Sequence, residues 1–115
     1  MPREVDAITR LYDYLLWIIP KLEKFPRNQK FLLADRIESL LLDILDLLIE
    51  AAYSRAKADT LRRANLRLDV VRHLWRLGHG LKTLPTKQYA HGARLMEDLG
   101  RQIGAWRRGA SARTP

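Results

Sequence analysis

Apolar residues recur at steps of three and four along most of this 115-residue chain, the spacing of one face of an α-helix. We expect a first helix from Glu4 to about Lys24, because Pro26 disfavours helical backbone in the residue before it. The periodic positions of this helix are Ile8, Tyr12, Leu15, Ile19 and Leu22. The apolar face is widened by Leu11, Tyr14, Trp17 and Ile18.

The second predicted helix, about Asn28 to Ser54, has more apolar surface than one neighbouring helix needs. Its seam alternates steps of four and three through Leu33, Ile37, Leu40, Ile44, Leu47 and Ala51. Further apolar residues extend the arc to roughly 200°, whereas packing in a small bundle needs a little over 100°. We expect an oligomer interface to cover the excess, although a larger core within one chain would also do so. The expected interface residues are Leu42, Leu45, Ile49, Tyr14, Trp17 and Ile18.

Two more helices are predicted after a turn near residues 54–59, a turn that neither glycine nor proline marks. The third runs from about Ala58 to Leu81, and the fourth from about Lys87 to Arg107 with Thr86 as N-cap. The expected buried face of the third helix is Leu61, Ala64, Leu68, Val71, Trp75 and Gly78. Short connections favour an all-α, antiparallel up-down-up-down four-helix bundle in one domain, residues 1–108, followed by a disordered tail, residues 109–115.

Charge is distributed unevenly between the two halves of the chain. The formal net charge is +8, but residues 1–53 sum to −2 and residues 54–115 to +10. On the fourth helix, positive residues recur every seven positions and should form one stripe opposite an apolar face. Basic helical surface of this kind indicates binding of a polyanion, RNA or DNA, and an acidic protein partner is the alternative. The residues expected to bind nucleic acid are Arg62, Arg63, Arg67, Arg72, Arg76, Lys87, Arg94, Arg101 and Arg108.

The residue types needed for catalysis or metal binding do not occur in a recognisable arrangement. The chain has no cysteine and no Glu-x-x-His pair, and its three histidines are separated by six and twelve residues. Asp43, Asp46 and Glu50 share a helix face, but we interpret them as a solvated surface or as salt-bridge partners for another subunit's arginines. We therefore expect no enzyme activity, metal or cofactor. The charges that interrupt the apolar run from Phe31 to Tyr53, and the lack of a signal peptide, predict a soluble cytoplasmic protein.

Two long segments resemble the accessory variability determinant proteins of bacterial and phage diversity-generating retroelements. They are WIIPKLEKFPRNQKFLLADRIE (17–38) and ANLRLDVVRHLWRLGHGLKTLPTKQYAHGARLMEDLGRQIGAWR (64–107). The more specific marks are the PKLEKFPR turn, the ANLRL segment with its basic helix, the LK-x-L-x-x-KQY junction and the terminal G-R-x-x-G-x-W. A similar bundle family, encoded within intervening sequences of ribosomal RNA genes, is the runner-up.

The resemblance implies both an assembly and a role. Members of the retroelement family are four-helix bundles that form a barrel-shaped homopentamer, bind nucleic acid through basic surface and associate with the reverse transcriptase of the element. That complex copies a template RNA into mutagenised cDNA, and the accessory protein is not the polymerase. The resemblance thus predicts RNA or DNA, a reverse transcriptase and further copies of the chain as partners.

Overall fold

Four helices account for nearly all of the chain that the structure, a computed structural model, describes: the backbone of residues 2–113 and the side chains of residues 6–110. Helix α1 is Pro2–Leu22, α3 is Lys57–Gly80 and α4 is Thr86–Arg113. Helix α2 is continuous from Arg27–Gln29 through a π-helical segment, Lys30–Ala34, into Asp35–Tyr53. No strand occurs in these residues, which confirms the all-α class.

Each helix packs against two others, so that α1 contacts α2 and α4, and α3 also contacts α2 and α4. The four helices therefore stand at the corners of a square with the core between them. The predicted face of α3, from Leu61 to Gly78, is buried at all six positions. The seam of α2 is also buried, except that Leu40 is half-buried. No helix in the described residues combines the length and apolar composition needed to cross a membrane.

The predicted turn between the second and third helices is confirmed, and side chains explain how it forms without glycine or proline. The connection is Ser54–Ala56, where Ser54 Oγ accepts a hydrogen bond from the Ala56 N–H at 3.0 Å. Lys57 Nζ donates to the Ala51 carbonyl at 2.7 Å. A cation at this position satisfies a carbonyl that the end of α2 leaves without a helical partner.

Tyr14 and Ile18 lie inside the bundle and are not on its outer surface, where an oligomer interface requires them. Both are almost fully inaccessible to solvent within the single chain, and Trp17 is half-buried. The reason is that α1 has two neighbours, α2 and α4, so its core-facing arc is wider than one contact needs. The Tyr14 hydroxyl has no hydrogen-bond partner within the described residues, and burial raises the pKa of this side chain.

Helix α4 also differs from expectation at both ends. Thr86 is its first residue and not its N-cap, because the Pro85 carbonyl already accepts the Tyr89 N–H at 2.9 Å. Pro85 is therefore the N-cap, and α4 begins one residue earlier than expected. Residues 109–113, expected to be disordered, continue the helix to Arg113. The rest of the expected tail, Thr114 and Pro115, lies outside the described residues.

A left-handed residue closes α3. Lys82 has φ 62°, its N–H donates to the His79 carbonyl at 3.0 Å, and the Thr83 N–H donates to the Gly78 carbonyl at 2.9 Å. This pair of bonds is the Schellman C-cap, which favours glycine at the position that Lys82 occupies. Lys82→Gly is therefore expected to raise the free energy of unfolding by roughly 0.5–1 kcal/mol, because a β-carbon is strained in this conformation.

Urea denaturation of Lys82→Gly beside wild type measures this gain. Lys82→Ala is the matched control, since it removes the charge but keeps the β-carbon, and it should change the stability by no more than about 0.5 kcal/mol. An equal gain in both variants would assign the effect to the charge.

Candidate nucleic-acid interface

The basic stripe on α4 consists of Lys87, Arg94, Arg101 and Arg108, and all four side chains are exposed. Met96, Leu99, Ile103 and Trp106 on the other side of the helix are buried. Seven residues are close to two full turns, so one cation follows the next along the helix axis at intervals of roughly 10 Å. The outer surface of α4 therefore presents a row of positive charge along the length of the bundle.

Within the described residues, three of these four cations have no acidic partner. Arg101 pairs with Glu97 at 3.3 Å and with Asp98 at 3.5 Å. Lys87, Arg94 and Arg108 form no ion pair among residues that the structure describes. These three positive charges are thus available to an anion from outside the chain.

Most of the arginines on α3 pair with acidic residues at the surface. Arg62 lies 3.1 Å from Asp59, Arg63 lies 3.3 Å from Glu50 of α2, Arg67 lies 3.8 Å from Asp43 of α2, and Arg72 lies 3.7 Å from Asp69. Asp43 and Glu50 thus pair with arginines of their own chain, since α2 and α3 are neighbours. Surface ion pairs of this kind contribute about 0–1 kcal/mol each, so a phosphate competes with them readily.

A groove between α3 and α4 adds to the basic surface. It is lined by Arg62, Asn65, Arg72 and Arg107, and continues past Gly104 to Arg108. The groove is open because α4 contributes glycine here, and the Arg72 guanidinium lies directly over Gly100 with Nη2 3.4 Å from the Met96 carbonyl. Guanidinium groups with exposed N–H donors bind phosphate oxygens through charge-assisted hydrogen bonds.

Arg107 is the member of this groove that sequence reasoning missed. It precedes Arg108 by one position and so does not belong to the stripe of cations spaced by seven residues, which is the pattern that indicates nucleic-acid binding in the sequence. Its signal is a spacing of seven from Gly100 and three from Gly104, which places it on the flank of α4 that faces α3. Arg107 therefore shares the side of α4 on which Gly100 and Gly104 line the groove.

Two glycines in α4 allow close approach of α3, and their neighbours differ. A β-carbon on Gly92 would lie 2.6 Å from the Trp75 ring, whose Nε1 donates to the Tyr89 carbonyl at 2.9 Å. A β-carbon on Gly100 would instead overlap the end of the Arg72 side chain. Gly92 therefore serves core packing, and Gly100 serves the placement of an arginine.

The expected interface residues on α2 are at the surface. Leu42 and Ile49 are 44% and 45% exposed, and Leu45 between them is half-buried. On α1, Tyr12 and Leu16 are also exposed, although the sequence analysis assigned neither to an interface. Exposed apolar side chains at helical spacing indicate contact with another protein surface.

The three histidines lie apart in the structure. His73 Nδ1 lies 2.8 Å from the Asp69 carbonyl, the His79 ring stacks on Tyr89 at 4.4 Å, and the His91 ring lies 4.8 Å from Trp17. Among the residues described, no group of three or more histidine or carboxylate side chains is arranged to hold a metal ion.

Comparison with known proteins gives one family. A family model described as bAvd-like matches residues 7–110, which include all of α2 and α3 and most of α1 and α4. The curated proteins contain no match to this chain. Since the match extends over nearly the whole bundle, the chain belongs to the bAvd-like family, the accessory variability determinant proteins of diversity-generating retroelements.

Proposed function

We propose that this protein is a non-catalytic subunit that binds template RNA or cDNA through its basic surface and associates with the reverse transcriptase of a retroelement to support mutagenic cDNA synthesis. The family match gives the system in which it acts. The observation that carries nucleic-acid binding is the α4 stripe, in which Lys87, Arg94 and Arg108 are exposed and without intrachain acidic partners among the described residues.

The mode of binding follows from the side chains available. Lysine and arginine contacts to phosphates supply affinity that does not depend on base sequence. Stacking on unpaired bases requires accessible aromatic rings, whereas the strongly exposed rings of the described residues, Tyr12, Phe31 and Tyr53, lie on α1 and α2 and not on the helix that carries the stripe. Recognition by the stripe should therefore depend on the shape and charge of the nucleic acid.

The assembly that we propose is a ring-shaped homopentamer of antiparallel bundles. Exposed Leu42 and Ile49 supply apolar surface for contacts between copies. Repeating the α4 stripe on each copy raises the overall affinity for a long polyanion, because the second and later contacts become intramolecular. The mass in solution, measured by light scattering after nuclease treatment, tests the number of copies.

Replacing Lys87, Arg94 and Arg108 together by glutamine is expected to weaken binding of a fluorescein-labelled single-stranded RNA at least about 10-fold at roughly 0.1 M salt. Each phosphate contact that is lost should also reduce the slope of log K against log salt by about 0.7. Fluorescence anisotropy over a range of salt concentrations measures both quantities.

The matched control replaces Arg27, Lys30 and Arg36, which are exposed on α2, by glutamine. It removes the same net charge from the other half of the molecule, so it should have a clearly smaller effect. Equal losses in the two triple variants would show that only net charge matters. Unchanged binding by the α4 variant would assign the stripe to an acidic protein partner, and capture of that partner after nuclease treatment would identify it.

A further inference from the structure

A first apolar surface extends across the α1 and α2 helices. Arg10 pairs with Asp98, so its side of α1 faces α4. Tyr12 is two residues later, which is roughly 200° around the helix, and therefore lies on the opposite side, toward α2. Leu16 is one turn after Tyr12 and lies on the same side. On α2, Asp43 pairs with Arg67 and so faces α3. Leu45 is two residues after Asp43 and therefore lies on the opposite side of α2, toward α1, together with Leu42 and Ile49. We call this surface, Tyr12, Leu16, Leu42, Leu45 and Ile49, the α1/α2 face.

A second apolar surface lies on the outside of α3. Leu66, Val70 and Leu77 recur at helical spacing and are 54%, 40% and 47% exposed. They lie away from the core residues of the same helix, which are Leu61, Leu68 and Trp75 among others. We call this surface, Leu66, Val70 and Leu77, the α3 face.

The charges around the two surfaces have opposite signs. Around the α1/α2 face lie Glu38 and Asp46, which form no ion pair among the described residues. Around the α3 face lie Arg62, Arg63 and Arg76, which outnumber the carboxylates of Asp59 and Asp69 there, so the net charge of this rim is positive. Arg62 forms an ion pair with Asp59, whereas Arg76 forms no ion pair among the residues that the structure describes. Each surface therefore has the apolar centre and the charged rim that would suit the other.

We infer that the α1/α2 face of one copy docks on the α3 face of the next copy. This inference rests on the proposed assembly and specifies which surfaces form it. Contact between two different surfaces is heterologous, so each copy binds one neighbour on each side and the chain of copies either closes into a ring or continues as a filament.

The positions of the two faces favour closure. Helix α2, which carries half of the first face, is a direct neighbour of α3, so the faces do not point in opposite directions. Repeated docking then turns in one sense, as a ring requires. The outer surface of α4 belongs to neither face, so the basic stripe of every copy stays uncovered in the assembly.

Two variants that each disable one face test the inference when they are mixed. The first is Leu42→Glu with Ile49→Glu, and the second is Val70→Glu with Leu77→Glu. Each variant alone should be monomeric by light scattering, because no copy can meet an intact pair of faces. The mixture should give a 1:1 heterodimer and nothing larger, since only the α3 face of the first and the α1/α2 face of the second are intact.

Other outcomes would overturn the inference. A dimer of the second variant alone would show that two α1/α2 faces meet each other, and an oligomer of the first alone, or a mixture that stays monomeric, would show that these faces do not pair. Circular dichroism checks that each variant is folded. If either double variant unfolds, two single variants at more exposed positions replace the pair: Leu16→Glu disables the α1/α2 face, and Leu66→Glu disables the α3 face. A monomeric wild type would instead refute the proposed assembly itself.

Discussion

Replacing Trp75 by alanine is expected to lower the free energy of unfolding by about 3–5 kcal/mol. The indole is 1% exposed and is among the largest fully buried side chains. Its ring meets Trp17 edge-on at 6.2 Å, and its N–H donates to the Tyr89 carbonyl at 2.9 Å. Alanine would leave a cavity where the indole packs against Gly92. It would also remove the indole hydrogen bond to the Tyr89 carbonyl, which within α4 still accepts the backbone N–H four residues on.

Urea denaturation followed by circular dichroism measures the loss, at one protein concentration because assembly adds stability. Tyr53→Ala is the control, since Tyr53 is 89% exposed and its removal should change the free energy of unfolding by no more than about 0.5 kcal/mol. If Trp75→Ala cost less than about 1 kcal/mol, the contact of α3 with α4 would not depend on this ring.

Alanine at Gly92 and alanine at Gly100 are expected to have opposite effects, with stabilities that differ by about 2–3 kcal/mol. Both substitutions gain up to roughly 1 kcal/mol of helix propensity. At Gly92 the new β-carbon would overlap the rigid Trp75 ring, and overpacking of this kind costs about 1–3 kcal/mol or more. At Gly100 it would displace only the end of the Arg72 side chain, which can move into solvent.

The comparison is internally controlled, because the two glycines lie in one helix, eight residues apart. Denaturation curves of the two variants and wild type, measured together, give the signs. Destabilisation by Gly100→Ala equal to that by Gly92→Ala would mean that Arg72 is held as firmly as Trp75. The RNA affinity of Gly100→Ala then reports separately whether the placement of Arg72 over the groove contributes to binding.

The helices and their buried faces could be predicted because they depend on local spacing. The six core positions of α3 follow from apolar residues at steps of three and four. A repeat of seven residues likewise predicts the exposed stripe Lys87, Arg94, Arg101 and Arg108. The C-cap at Lys82 could not be predicted in this way, because Gly78 and Gly80 nearby are the residue type that usually ends a helix.

Contacts between helices were beyond prediction from spacing alone. Trp75 lies against Gly92, and Arg72 lies over Gly100, only because of how α3 is positioned against α4. Tyr14 and Ile18 were assigned to an interface because the apolar arc of α1 is wide, but that width reflects two intrachain neighbours. Which arginines of α3 are paired also depends on tertiary contacts, since Arg63 and Arg67 meet carboxylates of α2.

The π-helical turn in α2 has a consequence for changes in chain length. The Asp35 N–H donates to the Lys30 carbonyl, five residues earlier, so Lys30–Ala34 contains one residue more than an α-helix of the same rise. Loss of a single codon within this segment would restore ordinary α-helical hydrogen bonding without rotating Ile37 or Ile44. The same deletion farther along α2 would turn every later side chain by about 100° out of the core, so relatives that differ by one residue in length should differ here.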